Sequence, residues 1–329
     1  MPSVTVIIPA RPDAVEIDAV RAARALDYPP EKLEIILVRG KQPSAQRNAA
    51  LKEARGDLIC FLDDDSVPET KNLRRIIGHF SDPNVKMVGG PAICPADAPP
   101  LEQTFALVLA SWALGPSRAR YTPVGTVRET SEKELILCNL VARRDALLEL
   151  GGFDEKLYPN EENALMDELQ ARGGKLLYDS QLIVRRRPRR TLKAFAKMLM
   201  TYGRGRAEQF RVNPTLGSAL NFVPPLFLIY LLLVIPAAIH WGSIVLWPLV
   251  LYLAAVFVQA LFLTRSGRIR ESFATIPLII LTHILYGFGF WRGLFTTLKL
   301  KRPAAAEVKL EKLTLKQEDQ AKDDEHQLD

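Results

Sequence analysis

The sequence predicts an α/β domain with a parallel sheet, followed by apolar helices that cross a membrane. Three observations carry this. Strand-like and helix-like runs alternate between residues 4 and 62. Three consecutive carboxylates, Asp63, Asp64 and Asp65, follow the last strand-like run. Two uncharged stretches, residues 222–241 and 244–263, each have the length of about twenty residues needed to cross a hydrocarbon core of about 30 Å. With 329 residues and 48% hydrophobic content, the chain holds one large domain plus an appendage.

Residues 4–8, 33–38 and 58–62 are short apolar runs, and residues 15–26 and 44–54 between them carry helical spacing. This βαβαβ punctuation predicts right-handed crossovers and parallel pairing. Further strands are expected at 85–88, 135–141 and 175–178. Residues 91–128 are rich in Pro and Ala, with an apolar segment at 105–114, and give no readable pattern. In residues 191–210, Leu192, Phe195, Ala196, Leu199 and Tyr202 share one helical face while Lys193, Lys197 and Arg204 lie on another. Such a helix either lies at a membrane surface or packs on the domain. These features divide the chain into a domain at 1–190, a membrane-proximal helix and linker at 191–221, a membrane region at 222–298 and a charged tail at 299–329, expected to be disordered.

A third apolar segment, residues 273–291, is long enough to span but contains Pro277, Thr282, His283, Gly287 and Gly289. Basic residues cluster before the first span (Arg185, Arg186, Arg187, Arg189, Arg190), between the second and third segments (Arg265, Arg268, Arg270) and after the third (Arg292, Lys299, Lys301, Arg302). The turn at 240–243 has no permanent charge. Positive-inside reasoning puts the front domain, the Arg265 loop and the tail on the cytoplasmic side of an inner membrane. The third segment then enters and returns or lies flat, and a full third crossing stays open. Met1 to Pro9 reads as a strand and not as a basic leader with a cleavage site, so the front domain is expected in the cytosol. Cys60, Cys94 and Cys138 lack metal-ligand spacing and suit a reducing compartment. The net charge of +6 gathers beside the spans, which points to anionic membrane lipids, and no nucleic-acid motif stands out.

Open α/β sheets bind ligands at the carboxyl ends of their strands, where Asp63, Asp64 and Asp65 fall. Crowded carboxylates ask for a cation, and hard oxygen donors suit Mg²⁺ or Mn²⁺ better than zinc. A metal-bound phosphate compound fits that site. An acidic turn or helix cap ahead of Pro68 is the other reading.

The order of motifs resembles glycosyltransferase family 2, with its nucleotide-diphospho-sugar transferase (GT-A) fold, a Rossmann-like mixed sheet, over residues 3–210. Val4-Thr5-Val6-Ile7-Ile8-Pro9 resembles the opening strand that meets the nucleotide, Gln46-Arg47-Asn48-Ala49-Ala50 the segment before the metal motif, and Asp63-Asp64-Asp65 the D-x-D motif. Cys138 to Arg144 followed by Gly151-Gly152-Phe153-Asp154-Glu155 resembles the acceptor-side segment, and Glu161-Glu162-Asn163-Ala164-Leu165 stands where the family has Glu-Asp-x-x-Leu. Arg185 to Arg190 and Tyr202-Gly203-Arg204-Gly205-Arg206 are similar to the membrane-proximal end of membrane-bound bacterial and archaeal members.

The resemblance implies a metal-dependent, inverting hexosyltransferase. Asp65 is the expected metal ligand, with Asp63 near the ribose or the metal's water shell and Asp64 supporting the turn. Pro9, Arg11, Arg39, Arg47, Asp63 and Asp64 are expected on the donor side. Glu162 stands at the base position, one methylene longer than the usual Asp, and Glu161 is the alternate base; the same two acids also suit a helix start capped by Asn160. Arg39 and Lys41 replace acidic residues expected to meet the nucleobase, so they contact the nucleotide or are ordinary surface charge. A UDP-sugar is the family default. Gln-x-x-Arg-Trp of processive synthases does not appear, which favours transfer of one sugar to a lipid-linked saccharide acceptor in cell-surface glycan synthesis, with residues 91–128 expected to set acceptor specificity. Transfer to a polyprenyl monophosphate, as in dolichyl-phosphate-mannose synthase-like members, and a non-catalytic nucleotide-sugar-binding membrane protein are the alternatives.

Overall fold

Seven consecutive buried residues, Val4–Ala10, apolar but for Thr5, make the first strand β1, and a near-continuous apolar run of this kind is what a strand covered on both faces requires. The computed structural model describes residues 1–157, 160–212, 214, 216–296 and 308–313. Its strands are β1, β2 (Leu33–Arg39), β3 (Leu58–Phe61), β4 (Val67–Pro68), β5 (Val85–Gly89), β6 (Ala92–Ile93), β7 (Arg128–Thr130), β8 (Leu140–Arg143), β9 (Lys175–Tyr178), β10 (Val184–Arg185) and β11 (Lys309–Leu313). Its helices are α1 (Asp18–Arg24), α2 (Pro43–Glu53), α3 (Asn72–Ile77), α4 (Pro100–Leu109), α5 (Arg144–Glu149), α6 (Glu161–Ala171), α7 (Leu192–Val212), α8 (Val223–Trp241), α9 (Trp247–Leu263) and α10 (Ile269–Phe295).

The main sheet runs β11-β2-β1-β3-β8-β5-β9-β7. β1 pairs in parallel with β2 and β3, as the alternating runs predict. α1 and α3 pack on one face through Ala19, Ala23, Leu73 and Ile76. The other face is covered by Leu51 of α2, Leu147 of α5 and Leu165 and Met166 of α6.

β8 runs opposite to the parallel strands of the opening βαβαβ run. It lies antiparallel between β3 and β5, giving the mixed sheet that the resemblance implies. The strand expected over 135–141 also starts late, because Leu137–Asn139 is a 3-10 turn. The cause is Asn139, whose buried amide donates to the carbonyls of Pro91 (3.0 Å) and Leu182 (2.6 Å) and turns the backbone before β8 begins. A small second sheet, β4-β10-β6, joins the chain just after the acidic run to the chain just before Arg186.

Behind β9, the fully buried side chain of Asp179 accepts from Arg75 Nε (2.6 Å) and Nη2 (3.1 Å), from the Gln181 amide (3.0 Å), and pairs with His79 Nε2 (2.9 Å). Burial would raise its pKa, but Arg75 and the other donors hold it below the usual carboxylate range. The stabilisation is therefore present above the unfolded carboxylate pKa and lost as pH falls through the folded one. Asp179→Asn should cost about 2 kcal/mol near neutral pH, the worth of charge-assisted hydrogen bonds, with the difference from wild type shrinking in acid. Thermal unfolding in detergent across pH checks this.

α8, α9 and α10 lie within Ser218–Trp241, Ser243–Ser266 and Ile269–Phe295, three helical segments long and apolar enough to cross a membrane. α7 is held against α10 at very short range. A Cβ added at Gly203 or Gly289 would come within 2.1 Å of the carbonyl of Tyr286 or Met200, so only glycine admits this contact. Phe195 and Leu199 of α7 also pack with Phe105 and Val108 of α4, Val256 of α9 and Ile279 of α10, so the amphipathic helix joins the domain to the membrane helices.

The tail expected to be disordered departs from that expectation over a short length. β11 adds antiparallel to the free edge of β2, with Glu311 pairing with Arg39 at 3.0 Å. Val308-Lys309-Leu310-Glu311 alternates apolar and charged residues as an edge strand does, and the strand Lys309–Leu313 satisfies β2's open hydrogen bonds. Residues 299–307 and 314–329 lie outside the described residues.

Candidate active site

The carboxyl ends of β1, β2 and β3 open onto a cleft of about 630 Å³. β3 ends in a tight turn in which the Ser66 amide donates to the Asp63 carbonyl (3.0 Å) and the Asp63 amide donates to Ser66 Oγ (3.2 Å). That turn projects the carboxylates of Asp63 and Asp65 toward one cation, the guanidinium of Arg186. Arg186 Nη2 lies 3.1 Å from Asp63 Oδ2, and its Nε donates to Asp65 Oδ1 at 2.7 Å. The β4-β10-β6 sheet makes this possible, since Arg186 follows β10 directly and its amide donates to the Ile93 carbonyl.

α2 ties the cleft together through three consecutive side chains. Gln46 Nε2 donates to the carbonyls of Ala10 (2.8 Å) and Val38 (2.6 Å), fixing the helix to the ends of β1 and β2. Arg47, 7% exposed, donates from Nη2 to Asp63 Oδ1 at 2.9 Å, and its Nη1 lies 3.5 Å from Glu161 Oε1. Asn48 exchanges hydrogen bonds with the main chain of Phe153, and Gly152, at φ +83°, leaves no room for a Cβ beside the Asn48 amide. The Gln46-Arg47-Asn48 and Gly151-Gly152-Phe153 motifs therefore form one structural unit.

Glu161 and Glu162 stand in the first turn of α6. Asn160 occupies the cap position but makes no capping bond; its Oδ1 accepts from Asn163 instead. Glu161 is 2% exposed, and its Oε2 has no hydrogen-bond partner. Burial raises its pKa first, then the adjacent Glu162 charge, while Arg47 opposes them. Burial likewise raises Glu162, against Arg120, Arg47 and Arg206. Burial would raise Asp63 too, but Arg186 and Arg47 outweigh it and hold that carboxyl low. Asp64 is pushed up by burial and by its neighbours Asp65 and Asp63. The cleft thus sets a carboxyl held low by arginines at the end of β3 opposite two on α6 whose pKa burial raises, and groups pushed apart in this way gather at functional sites.

Of the residues expected from sequence, Pro9, Arg11, Arg47, Asp63, Asp64, Glu161 and Glu162 line the cleft. Asp65 stands beside it, 44% exposed and held by Arg186. Arg39 is drawn away: its Nε donates to Glu311 of β11, and its Nη1 to the Ala14 carbonyl at 2.7 Å. Lys41 lines the cleft in its place. Sequence reasoning missed the pairing of Arg186 with the acids, the clamp of Gln46 and the presence of Cys138 at the cleft. Arg186 sits in a basic run that reads equally as attraction for an acceptor's phosphates or as anchoring to lipid headgroups, and only the three-stranded pairing of β10 reveals its partner.

A divalent cation fits the donor set. Among the described residues no three His, Cys, Asp or Glu side chains form a ready cage. Asp63 and Asp65 nonetheless already converge on one cationic group. Two carboxylates completed by substrate phosphates are a usual Mg²⁺ arrangement.

Residues 18–104 match the model of Glycosyl transferase family 2. The pre-mycofactocin glycosyltransferases of two Mycobacterium tuberculosis strains, CDC 1551 / Oshkosh and ATCC 25618 / H37Rv, are each 28% identical over 163 residues. That match covers 50% of this chain and 34% of those relatives, about a third of their length. Among solved structures, mannosyltransferase PcManGT from Pyrobaculum calidifontis in complex with GDP-Man and Mn²⁺ superposes with a TM-score of 0.52 at 18% identity, covering 89% of this chain and 87% of that one. The segment that matches the Glycosyl transferase family 2 model lies in the N-terminal domain, and that domain's mixed sheet shares the GT-A fold of the mannosyltransferase.

Proposed function

We propose that the chain is an inverting glycosyltransferase that moves a sugar from a nucleotide-diphosphate sugar to a membrane-associated, lipid-linked saccharide acceptor. One observation carries the reading: the cleft sets Asp63 at the end of β3 and Glu162 at the start of α6 on its walls, with Tyr202 of the membrane-proximal helix beside them. The structural likeness to a mannosyltransferase in complex with GDP-Man and Mn²⁺ supports a nucleotide-sugar donor.

In this reading Pro9, Arg11 and Lys41 border the nucleotide, and Arg47 and Arg186 lie where the diphosphate's charge gathers. Asp65 and Asp63 would hold a Mg²⁺ or Mn²⁺ ion. When bound, such an ion stabilises the negative charge left on the diphosphate. Glu162 takes the proton from the attacking acceptor hydroxyl as its oxygen bonds to the anomeric carbon, and the bond to the diphosphate breaks on the opposite face. Glu161 stays beneath it, oriented by Arg47. The apolar helices bring this chemistry to a lipid surface, which suits an acceptor anchored there.

The raised pKa of the Glu162 carboxyl gives a sign to the pH profile. Its basic form is lost as pH falls through a value above the usual Glu range of about 4.3, so kcat/KM should decline on the acid side well before an exposed glutamate would titrate. A pH–rate profile of the purified chain checks this. The reading itself is tested by incubating the detergent-solubilised chain with a panel of nucleotide sugars and Mn²⁺ or Mg²⁺, following nucleotide release with and without lipid-linked saccharides. Acceptor-stimulated release in at least one lane supports it. No release with any donor rejects it.

Arg120 and Arg206 favour a second reading. Both donate to the same Asn163 Oδ1, at 2.8 and 3.2 Å, close behind Glu162, a concentration of positive charge that suits a phosphate acceptor. Product analysis with a polyprenyl monophosphate separates the two.

A further inference from the structure

We propose that the chain crosses the bilayer twice, with α8 and α9 as one hairpin, and that α10 lies along the near membrane surface without crossing. The pairing of β11 compels an even count. Its main chain is hydrogen-bonded to β2 in register from Lys309 opposite Arg39 to Leu313 opposite Ile35, and Lys312 reaches Glu34 and Glu53. β2 belongs to the N-terminal domain, so the chain leaves that domain after α7 and is back on the same side at residue 308. Three apolar helices lie between, and an odd number of crossings would put β11 and β2 on opposite sides of the membrane.

α10 is the helix that stays. At 27 residues it is about 40 Å long, yet both its ends are held by the N-terminal part of the chain. Arg268, at its start, donates to the Ala96 carbonyl at 3.1 Å. Arg211 of α7 donates to the carbonyls of Gly293 (3.1 Å) and Thr296 (2.6 Å) at its end. Its most apolar stretch is 33% buried, against 17% for each of the other two helices. A helix held at its start by the N-terminal domain and at its end by α7, which itself packs on that domain through Phe105 and Val108, lies along their shared surface with its remaining apolar face to lipid.

α8 and α9 behave differently. Tyr230 OH donates to the Val245 carbonyl (2.8 Å) and accepts from the Leu249 amide (3.2 Å), and the Phe227 and Tyr252 rings meet at 4.7 Å, so the two helices return on each other. Leu232 and Ile239 are 78% and 83% exposed, apolar surface that only lipid tails would cover favourably. The tip at Gly242 is flanked by exposed Trp241 and Trp247, the residues favoured at a membrane–water interface. Arg211, Arg265, Arg268, Arg270 and Arg292 all fall at the opposite end, as positive-inside bias requires.

The test uses single cysteines in the full chain, in a background with Cys60, Cys94 and Cys138 each replaced by Ala, with a membrane-impermeant thiol reagent on inverted and right-side-out vesicles from an expressing bacterium. Probes at Val15→Cys in the domain, Ser243→Cys at the tip and Lys309→Cys in β11 report three positions. The expected result is that the first and third label from one face of the membrane and Ser243→Cys only from the other. Labelling of Lys309→Cys from the face opposite Val15→Cys would establish an odd number of crossings and overturn the proposal. Labelling of all three from the same face would overturn it too, since the hairpin would then not cross. Neither outcome depends on whether the chain transfers sugar.

Discussion

Glu162→Gln is expected to lower kcat about 10³-fold, within the 10²–10⁴ range that a positioned general base contributes, while leaving donor affinity near its wild-type value. Glutamine keeps the length and packing of the side chain but cannot take the acceptor's proton. Donor affinity should hold because the nucleotide side of the cleft is built from β1, β2, α2 and the β3 turn, none of which uses the Glu162 carboxylate. Glu161→Gln separates the two acids. That carboxylate is buried and faces Arg47, so its loss should disturb Arg47 and through it Asp63, raising KM for the donor more than it lowers kcat. Steady-state kinetics of both variants with one donor check the assignment. A collapse of kcat in Glu161→Gln with near-normal turnover in Glu162→Gln would exchange the roles.

The second large effect is expected at the acidic turn. Asp65→Asn should cost roughly 3 kcal/mol of transition-state stabilisation, or about 100-fold in kcat/KM, the scale seen when one group that stabilises developing charge is removed. The fold should survive, because Asp65 is 44% exposed and its only described side-chain partner is Arg186. Asp63→Asn should be at least as damaging, since it also unseats Arg47, which is 7% exposed and would be left with Glu161 as its remaining acidic partner. Higher Mn²⁺ should restore part of the Asp65→Asn activity if a weakened cation site is the cause. Kinetics across a metal titration check this.

The legible parts of this chain are those whose physics is local. β1, α1, β2, α2 and β3 were readable because each apolar run is short and each helix between them is periodic. The acidic turn could be placed at the end of β3 because Asp63-Asp64-Asp65 directly follows an apolar run that reads as a strand. Pairings between distant segments were not readable. Nothing in residues 140–143 says that β8 runs antiparallel, and nothing in the Arg185 to Arg190 run distinguishes the one arginine that meets Asp63 and Asp65 from those that do not. Arg39 illustrates the same limit. Its position after β2 suits a nucleotide contact, but Glu311, 272 residues away in sequence, takes its guanidinium. In the tail, a four-residue alternation at 308–311 was outweighed by the charge around it, and the open edge of β2 supplies the partner that makes Lys309–Leu313 a strand.

In the proposed reaction the aspartates at the end of β3 bind a nucleotide diphosphate through a divalent cation. Equilibrium binding of nucleoside diphosphates to the solubilised full chain, with Mn²⁺ or with a chelator, tests it most directly when wild type and Asp65→Asn are compared. The account predicts saturable binding that requires Mn²⁺ and weakens by at least tenfold in the variant. Binding of equal strength with and without the cation, unchanged by Asp65→Asn, would contradict it.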